Sequence, residues 1–218
     1  MKKLTILSSL FFSLTLFSQN KQLLKGDSMV WFGLDYSKAK FTGNFALEAG
    51  FDLSSGAELT QKYMPGWNNV ILSEPVKYDI GTKMGKIIVY YEIGSVTKIN
   101  SAIKASDSIY YDKTVPYKFA DPDKTIQEMV NRYEPERYKK GLGVTFLVES
   151  YNKKSVDAYV YFVLFDIENK KVIGYKRMKG YPKGIGMKNY WSGAIDDIIK
   201  QCGSAYKSIE YQALKGGK

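Results

Sequence analysis

Four acids, Asp35, Glu92, Glu149 and Asp166, each lie at the end of a run of strand-forming residues, and they are the groups best suited to chemistry in this chain. Two of them facing each other across a cleft would supply an acid and a base or nucleophile, the constellation of a carboxylate-based secreted hydrolase such as a glycosidase. An ordinary solvated carboxylate at a strand end is the plainer reading of each. Composition removes most other catalysts. There is no histidine, which excludes Ser-His-Asp and Cys-His nucleophile systems, histidine-ligated zinc and a histidine general base. The single cysteine, Cys202, allows no intramolecular disulfide and reads as a small core residue.

Three short strings have the form of catalytic or metal motifs and lack their partners. Gly26-Asp27-Ser28-Met29 has the nucleophile block of secreted esterases, but Ser28 has no imidazole to take its proton. Ser101-Ala102-Ile103-Lys104 fits S-x-x-K, with Ser106-Asp107-Ser108 beside it, but the second motif follows too soon and no Lys-Thr-Gly block completes the set. Asp121, Asp123 and Glu128 could approach a calcium ion, yet Pro122 and Lys124 interrupt the alternation of oxygen ligands that such a loop needs. No metal or cofactor is expected.

The best binding candidate is the glycine-rich link Gly180 to Met187. Tyr181, Lys183, Gly184, Gly186 and Lys188 place flexible backbone and two cations at the start of a helix, where backbone amides favour an anion. The link does not have the spacing of a nucleotide loop. Tyr90, Tyr91, Tyr110, Tyr111, Tyr117, Tyr138 and Tyr181 offer a second possibility, a tyrosine-rich recognition face, against the simpler reading that they are strand and core residues.

Location governs which partners are possible. Lys2 and Lys3, the uncharged run Leu4 to Phe17 and the exit Phe17-Ser18-Gln19-Asn20 form a secretory signal peptide over residues 1–19. The run is about 14 residues, short of the roughly 20 that span a bilayer, so no transmembrane segment is expected. Cys202 lies far from the cleavage site, and the product is not expected to be a lipoprotein. Without Lys2 and Lys3 the chain carries 30 basic and 22 acidic residues, or +8. In a periplasmic or secreted protein this favours an envelope protein, an anionic glycan or a lipid headgroup as partner, and not nucleic acid. The paired lysines at turns, Lys139-Lys140, Lys153-Lys154 and Lys170-Lys171, are also what solubility alone requires.

Residues 20–28 read as a linker, 29–211 as one α+β domain, a mixed α/β sandwich, and 212–218 as a flexible tail. Leu142 to Ser150, Val156 to Ile167 and Lys171 to Lys179 predict an antiparallel meander joined by short polar turns. Its middle run is apolar on both alternating faces, which predicts a strand covered on both sides. Trp191, Ala194, Ile195, Ile198, Ile199, Cys202, Ala205 and Ile209 recur at helical spacing and predict a helix packed across the meander. Earlier, Met29 to Tyr36 and Lys86 to Ile93 predict strands, the second apolar on both faces. Ser55 to Glu58 has capping-box form and opens a short helix stopped at Met64-Pro65-Gly66. Short helices follow at Trp67 to Ser73 and Val76 to Thr82, then short strands at Val96 to Lys104 and Ser108 to Tyr111. Asp121-Pro122 caps a helix reaching Tyr133.

The stretch Ala158 to Gly180, with its FDIENKKVI turn, followed by a loop and a helix led by Trp191 with Ala194 and Ile198-Ile199, resembles the close of small periplasmic domains of the curli-secretion and Tol-translocation type. Val30 to Asp35 would match their first strand. The resemblance implies an envelope assembly or binding role and carries over no functional residue. The chain departs from those families in lacking a lipoprotein cysteine, and Ser95 to Tyr133 has no counterpart in them. Together these readings favour a non-enzymatic exported module that engages another envelope component, with the carboxylate hydrolase as the alternative.

Overall fold

The computed structural model describes residues 19–43, 45, 47–48, 51–52, 58–104, 109–110 and 115–215. The expected signal peptide and the capping-box residues 55–57 lie mostly or wholly outside them. The architecture is α+β, one mixed six-stranded sheet with helices on both faces. The first helix, α1, spans residues 19–25. The strands are β1 (Ser28–Asp35), β2 (Lys40–Thr42), a small separate pair β3 (Leu47–Glu48) and β4 (Phe51–Asp52), β5 (Ile88–Tyr91), β6 (Leu142–Asn152), β7 (Asp157–Asp166) and β8 (Lys171–Gly180). The remaining helices are α2 (Met64–Ser73), entered from a π-helical stretch Leu59–Tyr63, then α3 (Ile80–Met84), α4 (Gly94–Ser101), α5 (Pro122–Asn131) and α6 (Gly186–Lys215).

The sheet runs β5-β1-β6-β7-β8, and β2 pairs with the far end of β6. The meander β6-β7-β8 is antiparallel as the polar turns predict, whereas β5, β1 and β2 join by parallel pairing. On β7, Ala158, Val160, Phe162 and Leu164 enter the larger core, and Tyr161, Val163 and Phe165 enter a second core on the other face. Helix α6 covers the first core with Trp191, Ala194, Ile195, Ile198, Ile199, Cys202, Ala205 and Ile209, all buried. It lies so close to β8 that a Cβ on Gly180 would meet the Ala194 carbonyl at 2.3 Å. Helix α5, capped by Asp121, which accepts from the Lys124 amide at 3.0 Å, closes the second core with Ile126, Met129 and Val130.

Several expectations are corrected. The helix expected to stop at Met64-Pro65-Gly66 instead continues to Ser73: the turn leading into Pro65 is π-helical, and Pro65 stands at the start of α2. Residues 94–101 are helical and not a strand: Val96 and Ile99, three apart, pack into the second core, and tertiary packing overrides their β-branched preference. Of Ser108 to Tyr111, Tyr110 makes an isolated bridge to Phe41 and forms no strand. The helix after Pro75 starts only at Ile80, capped by Asp79, and Val76 stays 95% exposed. The strand β5 is an exposed edge of four residues and is not buried on both faces. The segment 20–28 is no free linker: α1 buries Leu24, and Ser28 already belongs to β1. At the other end α6 runs to Lys215, so most of the expected tail is helix.

Candidate functional site

Strand β1 outruns its neighbour on one side. Pairing with β5 ends at Trp31 and Tyr91, so the backbone from Gly33 to Tyr36 faces the gap between α2 and α4 with no strand of the described residues beside it. Buried backbone groups need partners, and two side chains supply them. Asn68 of α2 accepts from the Leu34 amide at 2.7 Å and donates to the Leu34 carbonyl at 2.9 Å. Asn100 of α4 donates to the same carbonyl at 2.8 Å and accepts from the Tyr36 amide at 2.9 Å. The two carboxamides thus stand in for the missing strand. Gly33 makes room for this: its φ is +102°, and a Cβ there would lie 2.6 Å from the Asn68 Oδ1. A register shift in the β1–β6 pairing falls at the same point.

A carboxamide has two donor hydrogens and two acceptor lone pairs, so Asn68 and Asn100 each keep hydrogen-bonding capacity beyond what β1 uses. Both line a cavity of about 660 Å³ that also touches Thr60 and Gln61 of the π-helical stretch, Pro65, Asn69, Thr97, Ser101, Ile103 and Lys104. Thr60, Asn68 and Asn100 are buried at its floor, and Gln61, Asn69, Thr97 and Ser101 are exposed at its rim. The volume falls in the range of small-molecule sites. Among the described residues the lining holds no carboxylate and no aromatic ring. Its place in the topology fits the same use. The connection through α2 and α3 reaches β5 on the α6 face, and α4 leaves β5 with Val96 in the opposite core. Crevices at the carboxyl ends of parallel strands, where connections part to opposite faces, are where open α/β sheets bind ligands. A bulge, a left-handed glycine and a π-helical turn all converge here, and such irregularities cluster at functional sites.

The four acids are buried, contrary to the solvated reading, and each is engaged by groups other than another of the four. Asp35 accepts from the Ser37 amide at 2.8 Å and the Tyr133 hydroxyl at 3.0 Å, with Arg132 at 3.8 Å. Glu92 accepts from the amides of Arg137 and Tyr138 at 2.9 and 3.2 Å. Glu149, at a β6 bulge, accepts from the Phe119 amide at 2.9 Å and pairs with Arg177. Asp166 accepts from Gln19 and Asn169, each at 2.7 Å. These bonds tie loops to the sheet.

In the glycine-rich link, Gly184 and Gly186 are left-handed, and Lys183 is spent: its amine lies 3.0 Å from Asp196 and its amide donates to the Tyr190 carbonyl. Tyr181 is 56% exposed beneath the Lys179 amine, and Lys188 is exposed while its carbonyl accepts from Trp67. The tyrosines do not share one face. Tyr90 stacks on Tyr138 at 4.6 Å by the β5 edge, Tyr181 follows β8 at the opposite edge, and Tyr111 lies outside the described residues. Ser101 donates to the Lys98 carbonyl at 2.8 Å, and its supposed companions Ser106 to Ser108 lie outside the described residues. Asp123 accepts from the Tyr175 hydroxyl, and Ser28 simply begins β1.

Sequence reasoning missed Asn68 and Asn100. The first carried a signal: an asparagine among Trp67, Val70 and Ile71 is unfavourable inside a helix unless its side chain has a task. The second was hidden by reading its segment as a strand.

No family model matches the chain, and no curated protein matches it. Among solved structures, the crystal structure of protein XCC0632 from Xanthomonas campestris, assigned to DUF330, is similar at a TM-score of 0.30 and 8% identity, covering 87% of this chain and 85% of that one.

Proposed function

We propose that the protein is an exported, non-enzymatic binding module of the cell envelope or its surroundings, and that it recognises its ligand in the crevice at the carboxyl end of β1. One observation carries this reading: Asn68 and Asn100, both buried, close the open edge of β1 and at the same time line a cavity of ligand size. A structural patch alone would not need a cavity behind it. The hydrolase alternative has less support, because Asp35, Glu92, Glu149 and Asp166 are each committed to other partners. A ligand-observed NMR screen of a chemically mixed fragment set tests the proposal. Hits on the mature protein should vanish with Thr97→Trp, which fills the rim from an exposed position; equal binding to both proteins, or no hits at all, would contradict it.

A second reading rests on the β5 edge. Ile87, Ile88 and Tyr91 are 82%, 44% and 44% exposed, and no charge lies between Lys86 and Glu92. An uncharged apolar edge is suited to adding a strand from an extended apolar segment of another envelope protein, the assembly role that the resemblance to curli-secretion and Tol-type domains implies. A photocrosslinker at position 88 should then trap one partner through such a segment, and crosslinking no more specific than at exposed position 76 would count against it.

A further inference from the structure

The crevice has a chemical character that selects among ligands. Among the described residues its lining contains no acid, and the one cation among them, Lys104, already interacts within the chain. A cationic ligand would find no countercharge. An anion would lack the several cations or the arginine fork that anion sites use. With no aromatic ring among the described lining residues, a nucleobase has nothing there to stack on. Among the described lining residues Pro65 and Ile103 are the apolar side chains, and the methyl and methylene groups of the polar ones add to their surface.

What remains is a dense set of neutral groups that donate and accept together: Asn68, Asn69, Asn100 and Gln61 by their carboxamides, Thr97 and Ser101 by their hydroxyls. A ligand that satisfies such a lining must itself donate and accept at every position and carry no net charge.

We infer that the crevice binds an uncharged, hydroxyl-rich sugar unit of one or two rings. The assignment rests on the binding-module reading above and adds the ligand class. The two floor asparagines, fixed by β1, present oriented donors and acceptors to the ring substituents, and the rim residues Asn69 and Thr97 read the outer hydroxyls. Without an aromatic platform the affinity is modest, with Kd on the order of 1 mM or somewhat tighter.

Calorimetric and NMR titrations of the mature protein with maltose, cellobiose and chitobiose, alongside glucuronate, inorganic phosphate and spermidine, test it. At least one neutral disaccharide should bind, and the exposed-rim double variant Asn69→Ala, Thr97→Val should weaken it at least tenfold with thermal unfolding unchanged. Sugar binding indifferent to that variant would overturn the assignment. If the neutral sugars fail while a charged probe or an apolar fragment occupies the crevice and is lost in Thr97→Trp, the sugar class is wrong and the binding module stands. An absence of any occupant overturns both.

Discussion

Replacing Asn68 by alanine takes away the acceptor for the buried Leu34 amide, while the Leu34 carbonyl keeps its second donor, Asn100, at 2.8 Å. An orphaned buried donor costs about 1–3 kcal/mol, and access from the crevice places this one toward the lower end. Asn100→Ala orphans the Tyr36 amide in the same way and leaves the Leu34 carbonyl to Asn68 at 2.9 Å. Neither single substitution empties that carbonyl. The double variant does, so its loss should exceed the sum of the single losses by about 1 kcal/mol, within the range of coupling between residues that share a partner. Urea unfolding of the four proteins measures this as midpoint shifts at constant slope. Additive losses, agreeing to within about 0.3–0.5 kcal/mol, would refute the idea that two side chains jointly replace a strand.

Gly180→Ala should destabilise by about 1–3 kcal/mol, read by thermal unfolding, since its Cβ would press on the Ala194 backbone of α6 at 2.3 Å. Glu149→Ala should cost about 3 kcal/mol by leaving Arg177 and the Phe119 amide unpaired, and adding Arg177→Met should recover part of it. Burial pushes the Cys202 thiol well above its ordinary value, so it should resist thiol reagents in the native state at pH 8 and react on unfolding. Burial opposes ionisation of Asp196, but bonds from Lys200 and Lys183 outweigh it and hold the carboxyl below its ordinary value. Its folded pKa being the lower one, this contribution is full above about pH 4 and fades as pH falls through the folded value. Stability curves of Asp196→Asn against pH should therefore be flatter than the parent's in that acid window.

The second half of the fold was legible because its signals agree. Alternation along Ala158 to Phe165 assigns both faces of β7, and the three- and four-residue spacing from Trp191 to Ile209 assigns the buried stripe of α6. The first half was not, because its signals conflict: Val96 and Ile99 are β-branched yet helical, and Pro65 looks like a stop but sits where a helix tolerates it. Parallel pairing of β1 with β5 and β6 joins segments distant in sequence, and no turn residue announces it. The candidate acids could be named from strand ends, but their burial depends on Tyr133, Phe119 and Arg137, which only folding brings to them. Asn68 and Asn100 come together across an interval of 32 residues, so their shared bond to Leu34 had no local signature.

The central claim, that the end of β1 is a recognition site, is tested most directly by the side-chain amide resonances of Asn68 and Asn100 in the ¹⁵N-labelled protein, titrated with the strongest hit from the fragment screen. Those two resonances should move together along a single saturating curve, while those of Gln127 and Asn131, bonded to each other on α5, stay in place. Saturable binding that leaves Asn68 and Asn100 unmoved would contradict the account.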